Sequence, residues 1–172
     1  MKNNWLTRTL RQFPALTTSK AYLRLYFSEE DLRKIEKAVS ESEKQHACEV
    51  AIAIESKLSL SQRREGMPLR KRALEWFGAL GVWDTAGNCG VLIYINLASR
   101  GVQIIPDRAP AQAIKQETWD EACSACIEGF KKDQPLEAAL GALGIVNKAL
   151  ADAFPPDGKE KPNQLSDEVA LG

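Results

Sequence analysis

A chain of 172 residues with 44% hydrophobic and 27% charged side chains is long enough for one full hydrophobic core and too mixed for a fibrous or wholly disordered protein. Lys plus Arg and Asp plus Glu stand at 23 each, so no global field concentrates the chain on nucleic acid or an anionic membrane, and no nucleic-acid partner is expected. No apolar run nears the roughly 20 residues that span a bilayer, which gives the chain no transmembrane segment of its own.

The charge is uneven along the chain. Lys2, Arg8, Arg11, Lys20, Arg24, Arg33 and Lys34 outnumber Glu29, Glu30 and Asp31 over residues 1–34. Within a basic segment 1–26, Trp5, Leu6, Leu10 and Phe13 recur near helical spacing before Pro14. This predicts a short amphipathic helix that either docks a partner or, the more ordinary outcome, packs on its own domain. Ser28 then offers an N-cap oxygen, Glu29, Glu30 and Asp31 favour the positive end of a helix dipole, and Leu32, Ile35, Ala38 and Val39 form an apolar stripe, predicting a helix over 29–44.

Residues 48–55 alternate Val50, Ile52 and Ile54 with small Ala51 and Ala53, the pattern of a strand covered on both faces. Over 59–80, Gly66 and Pro68 split an amphipathic stretch whose better helix follows Pro68 and ends at Gly81. Residues 90–97 are a near-continuous aliphatic run, and 102–105 follow after the turn Ala98-Ser99-Arg100-Gly101. The pair reads as an antiparallel hairpin, with 91–97 the most buried strand of a mixed sheet and 48–55 beside it. Pro106 and Pro110 bound a loop; Trp119, Ala122, Cys123, Cys126, Ile127 and Phe130 then stripe one helix, and Leu136, Leu140, Leu143, Val146, Leu150 and Phe154 the next. The domain so delimited runs over 27–154, and 155–172, with little to bury, is expected to be a flexible tail.

The chemistry is thinner than the fold. No nucleophile elbow, P-loop or dinucleotide fingerprint occurs. His46 is the single histidine and reads as structural or exposed. The four cysteines are too few for the disulfide framework of a small secreted domain, no short apolar leader with a small-residue cleavage site follows the start, and a cytoplasmic location is expected. Cys123 and Cys126 have redox spacing but fall inside a helix, without a second pair to complete a zinc site, and read as buried, inert thiols. Polar residues gather instead at strand ends, where open α/β sheets place ligands. These are Trp83, Asp84, Thr85 and Asn88, then Ser99 and Arg100, then Asp107 and Arg108. Asp84 and Asp107 are oxygen donors suited to Ca²⁺ or Mg²⁺, Trp83, Arg100 and Arg108 are candidates for ligand or partner contact, and Trp83 is expected to turn its ring onto the sheet edge as the floor of a cleft.

The order helix, strand, helix, strand, strand, helix, helix resembles the TPM domain family, as does the string Arg72-Ala73-Leu74-Glu75-Trp76-Phe77 through Val82-Trp83-Asp84-Thr85 to Gly90-Val91-Leu92-Ile93-Tyr94. The nearest likeness is to a bacterial subgroup with a short basic N-terminal segment. The resemblance implies an α/β/α sandwich around a small mixed sheet, with divalent-metal binding in some members and acid phosphatase activity in a few. It places Asn88-Cys89-Gly90 where the family carries Asp-Asn-Gly, Ser99-Arg100 where it carries Asp-Arg, and Pro106 to Pro110 where it carries a glycine-rich segment. The implied metal set is Asp84, Asn88 and Asp107. Two functions follow: a non-catalytic module binding a protein partner near membrane proteins, or a weak divalent-metal-dependent phosphatase with Arg108 on the phosphate.

Overall fold

The structure, a computed structural model, describes residues 10–12, 18–156 and 163–172. The chain runs α1 (Ser19–Arg24), α2 (Glu29–Ser42), β1 (Glu49–Glu55), α3 (Leu60–Arg64), α4 (Leu69–Ala79), a 3-10 turn (Ala86–Asn88), β2 (Gly90–Asn96), β3 (Gly101–Pro106), α5 (Arg108–Ala113), α6 (Gln116–Lys131), α7 (Pro135–Ala153) and β4 (Ala170–Leu171). The strands form one mixed sheet in the order β3-β2-β1-β4. β1 lies parallel to β2 and to β4, and β2 and β3 form the expected antiparallel hairpin.

Alternation along the strands sorts the two faces. Val50, Ile52, Ile54, Val91, Ile93, Ile95, Val102 and Ile104 point into the larger core, which takes its other wall from α1, α2, α6 and α7. Ala51, Ala53, Leu92, Tyr94 and Ile105 meet the smaller core under α4, which presents Leu69, Ala73, Trp76 and Phe77. The alanines of β1 leave room there for the indole and phenyl rings, so the α/β/α sandwich follows from residue size as well as polarity.

Local signals hold the ends. Ser28 and Asp31 cap α2 reciprocally, the Ser28 hydroxyl accepting from the Asp31 N–H at 3.1 Å and Asp31 accepting from the Ser28 N–H at 2.8 Å. Gly81, with φ at +67°, turns the chain out of α4, and Val82 becomes fully buried. Gly90 starts β2 beneath the Val82 carbonyl, where any Cβ would meet that oxygen at 2.0 Å.

Four expectations need correction. The loop expected between Pro106 and Pro110 is helix α5: Asp107 caps it and Pro110 falls in its first turn, where a missing N–H costs nothing. Residues 170–171 are not a loose tail but strand β4 on the outer edge of β1. Within the segment 1–26, Tyr22 and Leu23 of α1 are core residues. Cys48 and Cys89 are joined in a disulfide, because each immediately precedes a register partner, Glu49 and Gly90, and the parallel pairing sets their Cα atoms 4.8 Å apart. The predicted helix around Trp5 to Phe13 lies largely outside the described residues. Its Arg11 packs inward, its guanidinium 4.4 Å from the Tyr26 ring centre, bonded to the Leu25 carbonyl and paired with Asp133.

Candidate functional site

The two ends of the sheet hold different polar chemistry. At the upper end, where β1 and β2 finish, Glu55 and Asn96 are register partners and both are buried. Arg72 reaches down from α4 and donates to both Glu55 oxygens, from Nη2 at 2.7 Å and from Nε at 3.0 and 3.2 Å. The Tyr94 hydroxyl donates to the same carboxylate, and Asn96 Nδ2 donates to the Tyr94 oxygen at 3.2 Å. The other Arg72 nitrogen pairs with Glu75, and its guanidinium lies over the Trp76 ring at 5.4 Å. Burial, with the bond to Glu55, pushes the Tyr94 phenol well above its ordinary value, and the Glu55 pairing does the same to Arg72. The donors of Arg72, Tyr94 and Asn96 are spent on neighbours, so the cluster holds α4 to the sheet, while the buried Trp76 Nε1 beside it has no hydrogen-bond partner among the described residues.

The lower end is built differently. Asp107 is buried; its N–H donates to the Gly90 carbonyl at 2.8 Å, and its Oδ1 accepts from the Arg108 N–H at 2.8 Å. Its Oδ2 is buried and has no hydrogen-bond partner among the described residues. α5 packs beside the 3-10 turn, in which Asn88 is exposed with φ at 53°. Asp84 and Arg108 are exposed as well. Trp83 is 54% exposed, which overturns the expectation of a ring folded onto the sheet edge: Val82 took the inward position, and the next residue faces out.

The predicted strand-end cluster is thus two groups. Asp84, Asn88, Asp107 and Arg108 share the lower end. Ser99 and Arg100 lie at the hairpin turn, a full length of β2 away, which at about 3.3 Å per residue is roughly 20 Å. Among the described residues no three His, Cys, Asp or Glu side chains gather so as to hold a metal ion. One buried Asp107 oxygen does not supply the six or more oxygens of a Ca²⁺ shell, or the near-octahedral set of Mg²⁺, and no chemistry is derived through such an ion. His46 is buried and donates from Nδ1 to the Cys48 carbonyl at 3.0 Å, a structural bond. Cys126 is buried, and desolvation pushes its thiol up to about 12, away from thiolate chemistry; Cys123 is raised by the same cause.

The helix and strand order, the hairpin and the loop from Gly81 to Gly90 lie within residues 24–149, which match the family model described as the TPM domain. The chain belongs to the TPM domain family. Its fold is similar to that of the BA42 protein from the psychrophilic bacterium Bizionia argentinensis, with a TM-score of 0.74 and 22% identity over 86% of this chain and 96% of that one. It is also similar to the N-terminal domain of a protein from P. gingivalis, with a TM-score of 0.64 and 14% identity over 79% of this chain and 83% of that one. The N-terminal domain of the cg2496 protein from Corynebacterium glutamicum aligns at a TM-score of 0.55 and 14% identity, over 78% and 81% of the two chains. No curated protein matches the chain. In this TPM domain, as in any protein at such distances, the likeness carries the fold alone. No helix among the described residues is long and apolar enough to cross a membrane.

The upper network escaped the sequence reading. Glu55 and Asn96 fall at the polar ends of the apolar segments 48–55 and 90–97, and Arg72 within the amphipathic stretch 59–80, and none of the three stood among the candidate residues. A parallel pairing of 48–55 with 90–97 would have set the two ends side by side.

Proposed function

We propose that this TPM domain is a non-catalytic binding module that holds a protein partner, a membrane protein or its assembly complex, through the loop at the lower end of the sheet. The observation that carries this reading is Trp83, an indole 54% exposed on a turn whose neighbour Val82 is fully buried. The Asp84 N–H bonds to the Gly81 carbonyl at 2.8 Å, so the turn offers the ring on a fixed base. A large aromatic left in water beside exposed Asp84, Asn88 and Arg108 has the composition of an interface centre with a polar rim. The membrane association comes from the family resemblance.

Co-purification from cell extract with the full chain and with Trp83→Ala tests the proposal. Loss of the same bound proteins from the variant, at unchanged melting temperature, supports it; identical recovery removes the loop as a contact. Calorimetric titration with Ca²⁺ and Mg²⁺ separates the module from the phosphatase reading. Stoichiometric heat that Asp107→Asn abolishes would favour the metal reading.

A further inference from the structure

The outer edge of β1 is a sheet edge, and an unpaired edge is a template for another strand. Its lower part is closed by a side chain: the Val50 N–H donates to Glu43 at 2.8 Å. Its upper part is closed by main chain. The Gly172 N–H donates to the Ile54 carbonyl at 3.1 Å and the Ser56 N–H donates to the Gly172 main-chain oxygen at 2.7 Å, while the single Ser56 hydroxyl proton is shared between the Ser19 carbonyl at 2.7 Å and that Gly172 oxygen at 2.9 Å.

The seat reads side chains as well. Val169 is buried in the larger core, Ala170 packs against the smaller one, and Leu171 is 49% exposed. Gly172 lies against Trp76 and Glu55, where a Cβ would meet the indole Cζ2 at 2.7 Å and Glu55 Cγ at 3.4 Å. The indole is rigid and carries the Arg72 guanidinium on its face, so it has little freedom to yield. The seat therefore accepts an apolar residue, a small residue, any residue and a glycine.

Its hold is light. β4 pairs with β1 at only two positions, against seven between β1 and β2. Further along, the segment is tied by long carboxylate side chains, Glu36 to the Val169 N–H at 3.3 Å and Glu49 to the Leu165 N–H at 3.4 Å. Few ladder bonds and one buried aliphatic side chain place this strand at the low-stability end of the molecule.

We infer that the upper edge of β1, with Ser56 and Trp76, is a strand-accepting peptide site that residues 169–172 of the same chain fill, and that a partner protein's extended segment of the pattern apolar, small, any, glycine fills it when they leave. Main-chain bonds to Ile54 and Ser56 supply the attachment, as in other strand additions, and the space beneath Trp76 supplies the selection. The covalently attached segment competes at high effective concentration, which keeps the site closed until a better segment arrives.

The test uses the full chain and a labelled peptide with the sequence of residues 165–172. Gly172→Val pushes the chain's own segment off Trp76. The peptide is expected to bind this variant at least about tenfold more tightly than the unchanged chain, because its tethered competitor is gone. A peptide carrying valine in place of the glycine is expected to bind neither. Amide hydrogen exchange keeps the outcome readable: the Ser56 N–H should exchange faster in Gly172→Val while the Val50 N–H, held by Glu43, does not. Faster Ser56 exchange with no peptide binding overturns the site, unchanged Ser56 exchange overturns the role of glycine, and concentration-dependent dimers without peptide reassign the seat to a second copy. The inference is independent of the Trp83 reading, since Trp83→Ala should leave the peptide's affinity unchanged.

Discussion

The upper and lower ends of one sheet use polar residues in opposite ways. At the top, Glu55, Arg72, Tyr94 and Asn96 satisfy one another under cover. At the bottom, Asp84, Asn88 and Arg108 face solvent around an exposed Trp83, and only Asp107 is drawn in. The contrast teaches that polar residues at strand ends do not by themselves mark a binding site. What matters is whether their bonding capacity is already used, and here the end with the denser chemistry is the one whose Glu55, Arg72, Tyr94 and Asn96 side chains are already engaged with one another.

Removing the centre of the upper network should give the largest effect. Glu55→Ala strips Arg72 and Tyr94 of their shared acceptor and is expected to cost about 3–5 kcal/mol in urea unfolding, as breaking a buried ion pair does. A loss under about 1 kcal/mol would mean that water serves these groups as well as Glu55 does.

The same network predicts a smaller, alkaline weakness. The folded-state Tyr94 phenol titrates above its ordinary 10.0 because of burial and its bond to Glu55, so its contribution to stability is fully present below that value. It falls as pH climbs past it, because the unfolded chain then releases the proton first. Tyr22 is raised by burial and by its bond with Tyr26, and adds to the same decline. Stability of Tyr94→Phe should therefore decline less steeply than that of the unchanged protein between about pH 10 and 11.5, with the Tyr22 share common to both.

At the lower end the effects shrink. Asp107→Ala removes an N-cap and should cost about 1 kcal/mol, read as a lowered melting temperature. Trp83→Ala and Asp84→Ala should each change stability by less than about 0.5 kcal/mol, since neither side chain is buried. The burial expected of Trp83 from sequence would instead have made its truncation cost several kcal/mol, so one thermal melt distinguishes the two placements.

What the sequence made legible follows the range of the forces involved. The alternation of Val50, Ile52 and Ile54 with Ala51 and Ala53, the Ser28 cap and the Gly81 turn are local patterns, and each appears where the residues place it. Trp83 was misplaced because a positive-φ glycine decides which of the next two residues turns inward, and Val82 and Trp83 are both apolar enough to compete. The Cys48–Cys89 link and the Glu55 pairing with Arg72 depend on register and on the seating of α4, which no local window records. β4 escaped because two residues are too few for periodicity, and the bonds that hold it belong to β1.

The pairing of β4 with β1 also sets an order of events during synthesis. Ser56 leaves the ribosome 116 residues before the Gly172 oxygen that its backbone N–H will hold. At roughly 5–20 residues per second, the upper edge of β1 waits on the order of ten seconds after its inner partners can form. During that interval the nascent domain carries a short open edge, with Glu43 able to cover only its lower part, and neighbouring chains on the same message have a brief opportunity to pair with it. Conditions that slow translation of residues 157–172 lengthen that opportunity, so the yield of monomeric protein becomes sensitive to the pace at which that stretch is read.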